Sequence, residues 1–163
     1  MSDEQGALVD DEELEPGELL EELLEEVVAG LGLDAEVEVE ESSGVLSGRL
    51  EGDDVGLFIG RRGQTIDAVQ HLAQRIVFPE GPSQTRVEID ADGYRERRAE
   101  MLREDADEAV EEALRDGRPV DLEPMPPSER RIVHEYLRER AGIETHSEGE
   151  EPRRFLVVSP VDD

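Results

Sequence analysis

The stretch Leu57-Phe58-Ile59-Gly60-Arg61-Arg62-Gly63-Gln64-Thr65-Ile66 constrains this chain more than any other. Two glycines three positions apart lie between an apolar segment and a helical pattern, where a turn with positive φ is expected. With no Cβ, the main chain at such a loop can approach a phosphate closely. A helix opening at Gly63 would aim free N–H groups and its positive dipole end at the same place. Arg61 and Arg62 add charge and forked donors. Gly60, Arg61, Arg62 and Gly63 are therefore the expected clamp on a nucleic-acid backbone. Aspartate at both glycines is expected to abolish binding and leave the fold intact.

The charge balance opposes this reading at first sight. The chain of 163 residues has 45 Asp and Glu against 17 basic residues, a formal net charge of −28. All 17 bases are arginine, which fits either a salt-adapted cytoplasm or a G- and C-rich codon bias. The acids are unevenly spread: residues 1–41 contain 17 of them and no base, whereas residues 57–78 contain Arg61, Arg62 and Arg75 against Asp67. Long-range steering of a polyanion should be weak, so binding should rest on short-range contacts at the loop.

Residues 1–16 read as an acidic, disordered tail. From Pro16, Leu19, Leu20, Leu23, Leu24, Val27, Val28 and Leu31 form a helical stripe that ends at Gly30 and Gly32. Residues 36–40 alternate and residues 45–50 are again extended, which predicts a hairpin across Ser42-Ser43-Gly44. A short helix precedes the glycine loop. A second long helix follows it, with Ile66, Val69, Leu72, Ala73, Ile76 and Val77 on one face, and a third strand covers 86–90. The order is α-β-β-α-α-β over residues 17–91.

Residues 92–163 form a second module. A helix over 94–116 has Leu102, Ala106, Ala109 and Ala113 on one face, and residues 118–123 read as extended. A further helix, N-capped by Ser128, runs to about Arg140, and strands over 145–147 and 155–159 close the module as a hairpin. Arg130 and His134 are four apart on that helix and project side by side. A guanidinium and an imidazole so placed can grip one phosphate together. The same spacing is also found on ordinary solvated helix faces. The fold class is α+β, in two small modules.

The glycine loop, the stretches 91–98 and 117–125, the helix Ser128 to His134 and the tail 145–152 occur in one order, and together they resemble the Jag, or SpoIIIJ-associated, family of bacterial proteins. In that family a KH domain is followed by a domain named for its Arg-x-x-x-His motif. The resemblance covers residues 18–160. It implies cytoplasmic single-stranded RNA binding, with the KH loop holding the backbone of about four nucleotides and Arg130 and His134 as a second contact, which the adjacent Arg131 either assists or points away from. The role implied is that of a post-transcriptional regulator or RNA chaperone. Ile59 and Ile66 flank the loop and are candidates to line a groove for the bases, although the hydrophobic core is the place their apolar side chains favour. Members also pair with a separate KH-only protein, and many carry a further N-terminal domain associated with the membrane. Here the acidic stretch 1–16 stands ahead of the first helix, and RNA binding does not depend on such a domain.

Other classes find little support. There is no cysteine, hence no disulfide, thiolate metal site or thiol nucleophile. No serine-hydrolase elbow, phosphate-binding P-loop or zinc-protease motif occurs, so no catalytic residue, metal or cofactor is expected. His71 reads as a surface residue, and Asp90 to Gly93 lacks the spacing of a calcium loop. No apolar run is long enough to span a membrane, and the N-terminus is acidic where a secretion signal needs basic residues. Two rival readings use the same chain differently. One is an acidic adaptor docking a basic protein on the Pro16 to Gly30 helix, and the other is a single-stranded DNA binder, which differs only at the 2′-hydroxyl.

Overall fold

A computed structural model of the chain describes residues 14–81 and 83–161; the expected acidic tail lies outside the described residues up to position 13. The chain divides into two compact units, residues 1–94 and 95–163.

In the first unit, helix α1 spans Pro16–Leu31, with proline at its start and the Glu18 carboxylate accepting from the Glu15 N–H at 3.0 Å. It ends at Gly32 in the left-handed region, where the Leu33 N–H donates to the Val28 carbonyl. Strands β1 (Ala35–Ser42) and β2 (Val45–Gly52) form an antiparallel hairpin whose two-residue turn, Ser43-Gly44, has positive φ at both positions. A short helix α2 (Gly56–Ile59), a single 3₁₀ turn (Arg61–Gly63) and helix α3 (Gln64–Val77) lead to strand β3 (Arg86–Ala91), which pairs parallel with β2. The sheet order is β1-β2-β3. Leu20, Leu24 and Val28 of α1 share one core with Leu46 and Leu50 of β2, Val87 and Ile89 of β3, Phe58, and Ile66, Ala73 and Val77 of α3. A Cβ at Gly48 would stand 2.5 Å from Leu24 Cδ1, so glycine there leaves room for the Leu24 side chain of α1 against β2.

The expected apolar face of α3 is only partly used. Ile66, Ala73 and Val77 are buried, but Leu72 and Ile76 are exposed. They lie away from the line of residues that the sheet covers, and an apolar residue does not by itself reveal which side of its helix is covered.

The second unit is built on α4 (Tyr94–Asp116), whose Leu102, Ala106, Ala109 and Ala113 are buried as the spacing predicts. Its sheet has the order β4-β6-β5, with β4 (Val120–Asp121) and β5 (Ile143–Glu148) antiparallel to the central β6 (Phe155–Pro160). Only two residues of the expected extended run 118–123 form a strand, although the Leu122 and Met125 N–H groups continue to donate to β6 and the residue before it. Helix α5 spans Pro127–Leu137. Its cap is Pro126, not Ser128, because the ring of Pro127 presets the first helical φ and the Pro126 carbonyl accepts the N–H groups of Glu129 and Arg130. The helix also stops short of Arg140. Among the described residues no helix is long and apolar enough to cross a membrane.

Candidate nucleic-acid interface

The glycine loop closes on backbone that other residues tolerate poorly. Gly60 has φ 73° and ψ −178°, a region open essentially to glycine alone. Arg62 (φ 52°) and Gly63 (φ 76°) are both left-handed. Arg61 and Arg62 are exposed between the two glycines. Helix α3 starts on Gly63, which has no side chain, so no hydroxyl or carboxylate at the cap position competes for the first-turn N–H groups. Asp67 is the acid of that first turn. Arg61 makes no ion pair with any described residue.

Both glycines are also tightly packed. A Cβ on Gly60 would run into Thr65 Oγ1, and one on the buried Gly63 would lie 2.8 Å from Tyr94 Oη. Aspartate at these positions is therefore strained and crowded, so the expectation that the fold stays intact is replaced by one of destabilisation. The substitution that leaves the backbone alone lies at Arg61 and Arg62. Ile66 needs a second correction: it has no exposed surface and belongs to the core, so it is unable to line a groove for bases. Ile59 is partly buried against the same core. His71 is exposed, as a surface residue.

In the second unit, Arg130, Arg131 and His134 of α5 border a shallow cavity of about 320 Å³, closed on its other side by Thr145, His146 and Ser147 of β5. His134 Nδ1 and Thr145 Oγ1 are 2.6 Å apart. Thr145 to Ser147 carried no assigned role in the sequence. The alternation of a β-strand does place a hydroxyl at 145 and at 147 on one face, which was the available signal.

The three α5 residues are not equally free. The Arg130 side chain is 11% exposed; it donates to the Met125 carbonyl at 3.3 Å and to Glu151 Oε1 at 2.6 Å. That hydrogen bond, with the guanidinium charge, holds the Glu151 carboxyl below its ordinary value. Arg131 bonds Glu135 one turn along the helix at 2.8 Å. Glu129 was missed: it is buried and forms a two-point ion pair with Arg98 of α4 at 2.8 and 2.9 Å, fastening the first turn of α5. Glu129→Ala is expected to destabilise the protein by about 3 kcal/mol, because it strands a largely buried guanidinium. Urea unfolding measures this, and a change under about 1 kcal/mol would show the pair to be dispensable.

An α-β-β-α-α-β unit with a glycine-bracketed arginine loop, followed by a unit that displays arginine and histidine one helical turn apart beside a strand of hydroxyls, defines a two-module protein of the KH and R-3-H kind. The R-3-H domain family matches residues 100–160, and the KH domain of KhpA/KhpB matches residues 17–89. The chain is 40% identical over 140 residues to the RNA-binding protein KhpB of Clostridium symbiosum, an alignment covering 85% of this chain and 63% of that protein. It is 38% identical over 133 residues to the protein of the same name from Lactiplantibacillus plantarum, covering 82% and 41%. With that of Bacillus subtilis it shares 34% over 151 residues, covering 91% and 72%. The chain belongs to the KhpB, or Jag, family. It spans less than two thirds of the length of the first two relatives.

Proposed function

We propose that this chain binds single-stranded RNA and acts as a post-transcriptional regulator or RNA chaperone. The Gly60-Arg61-Arg62-Gly63 loop clamps the backbone, and the α5–β5 cavity makes a second phosphate contact through His134 and Arg131, with Arg130 behind them. The observation that carries this reading is the loop itself: on a chain of net charge −28, two exposed arginines stand between glycines that no other residue could replace without strain, at the start of a helix. The names of the relatives, RNA-binding proteins all, support the choice of ligand. Fluorescence anisotropy of a labelled eight-nucleotide RNA, and of its DNA counterpart, titrated across a salt series tests it. Salt-dependent RNA binding is expected. Binding of neither strand at any salt would overturn the reading, and equal affinities would leave the sugar unread.

Glu151 competes for the Arg130 guanidinium that a phosphate would approach. Glu151→Gln is expected to raise RNA affinity about two- to fivefold at low salt, the range of an exposed charge pair. A loss of affinity would instead make Glu151 a support for the site. Because pairing depresses the Glu151 pKa, the stability it adds is present above the ordinary glutamate value and is lost as pH falls through the depressed one. The difference in melting temperature between wild type and Glu151→Gln should therefore shrink from about pH 4.5 downward.

A further inference from the structure

Helix α5 and strand β5 meet at His134 and Thr145. Val133 and Leu137 are buried in the core of the second unit and fix α5 on either side of His134 in the chain. Thr145 lies on β5 opposite Val158 of the central strand, and Val158 has no exposed surface. The branched side chain of threonine is stiff at its first torsion. Two well-anchored elements thus bring His134 Nδ1 and Thr145 Oγ1 to 2.6 Å. Among the described residues this is the one hydrogen bond that either side chain makes.

An ionised phosphate oxygen only accepts hydrogen bonds, and a neutral imidazole has a single N–H to give. Which ring nitrogen carries that proton is set by the partner of the other nitrogen. With Nδ1 turned toward Thr145, Nε2 is the nitrogen left for a ligand in the cavity that Arg130, Arg131 and His134 border. A carboxylate or carbonyl in place of the Thr145 hydroxyl would draw the proton to Nδ1 and leave a lone pair on Nε2. A hydroxyl can donate instead, and the proton then stays on Nε2. His146, on the same strand, shows the opposite case. Its Nε2 lies 2.8 Å from Glu148 Oε1, and an ionised carboxylate only accepts, so the proton of that ring is directed to Glu148.

We propose that Thr145 is a positioning residue of the second phosphate contact: its hydroxyl donates to His134 Nδ1, which holds the neutral ring with its proton on Nε2 and keeps that N–H ready for a phosphate oxygen. The ring then needs no reorientation when RNA arrives, and the hydrogen bond to phosphate forms at a lower entropic cost. Thr145 acts through His134 and not by touching RNA. The inference rests on the reading of the α5–β5 cavity as a phosphate contact, and the test separates the two.

Anisotropy of a labelled eight-nucleotide oligouridylate is measured with the full chain as wild type, Thr145→Val, Thr145→Ser, His134→Ala and Thr145→Val combined with His134→Ala. Valine keeps the branched shape and removes the hydroxyl. Thr145→Val is expected to weaken binding about three- to tenfold, the range of one hydrogen bond, and Thr145→Ser to stay within about twofold of wild type. In the His134→Ala background, Thr145→Val should cost nothing further. Long-range proton–nitrogen spectra of the labelled protein, at about pH 8.5 where an ordinary imidazole is neutral, locate the proton directly. The chain has three histidines, and the His134 signals are those lost in His134→Ala. Wild type and Thr145→Ser should show Nε2 protonated and Nδ1 unprotonated, and Thr145→Val should move toward a mixture of the two forms. A proton on Nδ1 in wild type, an equal loss from Thr145→Val with and without His134, or a Thr145→Ser that binds no better than Thr145→Val would overturn the proposal. Thermal melting accompanies each variant; if Thr145→Val unfolds, the spectra of wild type and Thr145→Ser decide. Full affinity in His134→Ala would overturn the α5–β5 phosphate contact and the proposal with it. Failure of wild type to bind RNA would overturn the proposed function, and the place of the proton would then decide the role of Thr145 alone.

Discussion

Arg61→Asp combined with Arg62→Asp is expected to weaken binding of single-stranded RNA by at least about 100-fold while leaving the melting temperature essentially unchanged. Each arginine offers a charge-assisted contact of roughly 1.5–3 kcal/mol, and each aspartate replaces it with repulsion. The backbone accepts the change. Both side chains are exposed, and aspartate is among the residues that tolerate the left-handed conformation of Arg62. Removing two phosphate contacts should also flatten the dependence of log affinity on log salt by about 1.4, since each contact to a single strand contributes about 0.7. Anisotropy across a salt series reads both effects. An affinity within threefold of wild type would remove the loop from the interface. A large loss with an unchanged salt slope would mean that the arginines act through the shape of the loop and not through phosphate.

Gly60→Asp combined with Gly63→Asp is expected to unfold the first unit, where the sequence by itself predicts a folded protein with a silent loop. Gly60 occupies backbone space that costs about 1–3 kcal/mol for any other residue. A side chain there would press on Thr65, and one at Gly63 would press on Tyr94 in a buried place, at about 1–3 kcal/mol for each overpacked position. The sum, about 5 kcal/mol, rivals the whole stability of a domain this size. Thermal melting should show the transition of the first unit falling by more than about 20 °C, or disappearing, judged at about 4–8 °C per kcal/mol. Gly30→Ala makes the comparison: it lies within α1 with open space around it and should leave stability equal or higher. A double aspartate variant that melts like wild type would mean that the loop can reopen without strain. Loss of RNA binding in a glycine variant is thus no evidence about phosphate contacts unless folding is measured as well.

Much of this protein was determined by local chemistry. The stripe from Leu19 to Leu31, the alternation at 36–40, the breadth of α4 and the order of elements follow from periodicity and from glycine and proline at the ends, because these are properties of a few consecutive residues. The glycine loop and the placing of Arg130 and His134 one turn apart on α5 were legible for the same reason: each lies within a single turn or loop. What depended on distant residues was not. That Ile66 is core while Leu72 and Ile76 are exposed was decided by which side of α3 the sheet covers. Tyr94 limits what Gly63 can become from 31 positions away. Glu151 takes the Arg130 guanidinium, Arg98 takes Glu129, and Thr145 meets His134, each through contacts between elements separated in the chain. Composition and spacing specify which groups are available, but hydrogen bonds and close packing depend on positions within a few tenths of an ångström, and those are set only when the elements are assembled.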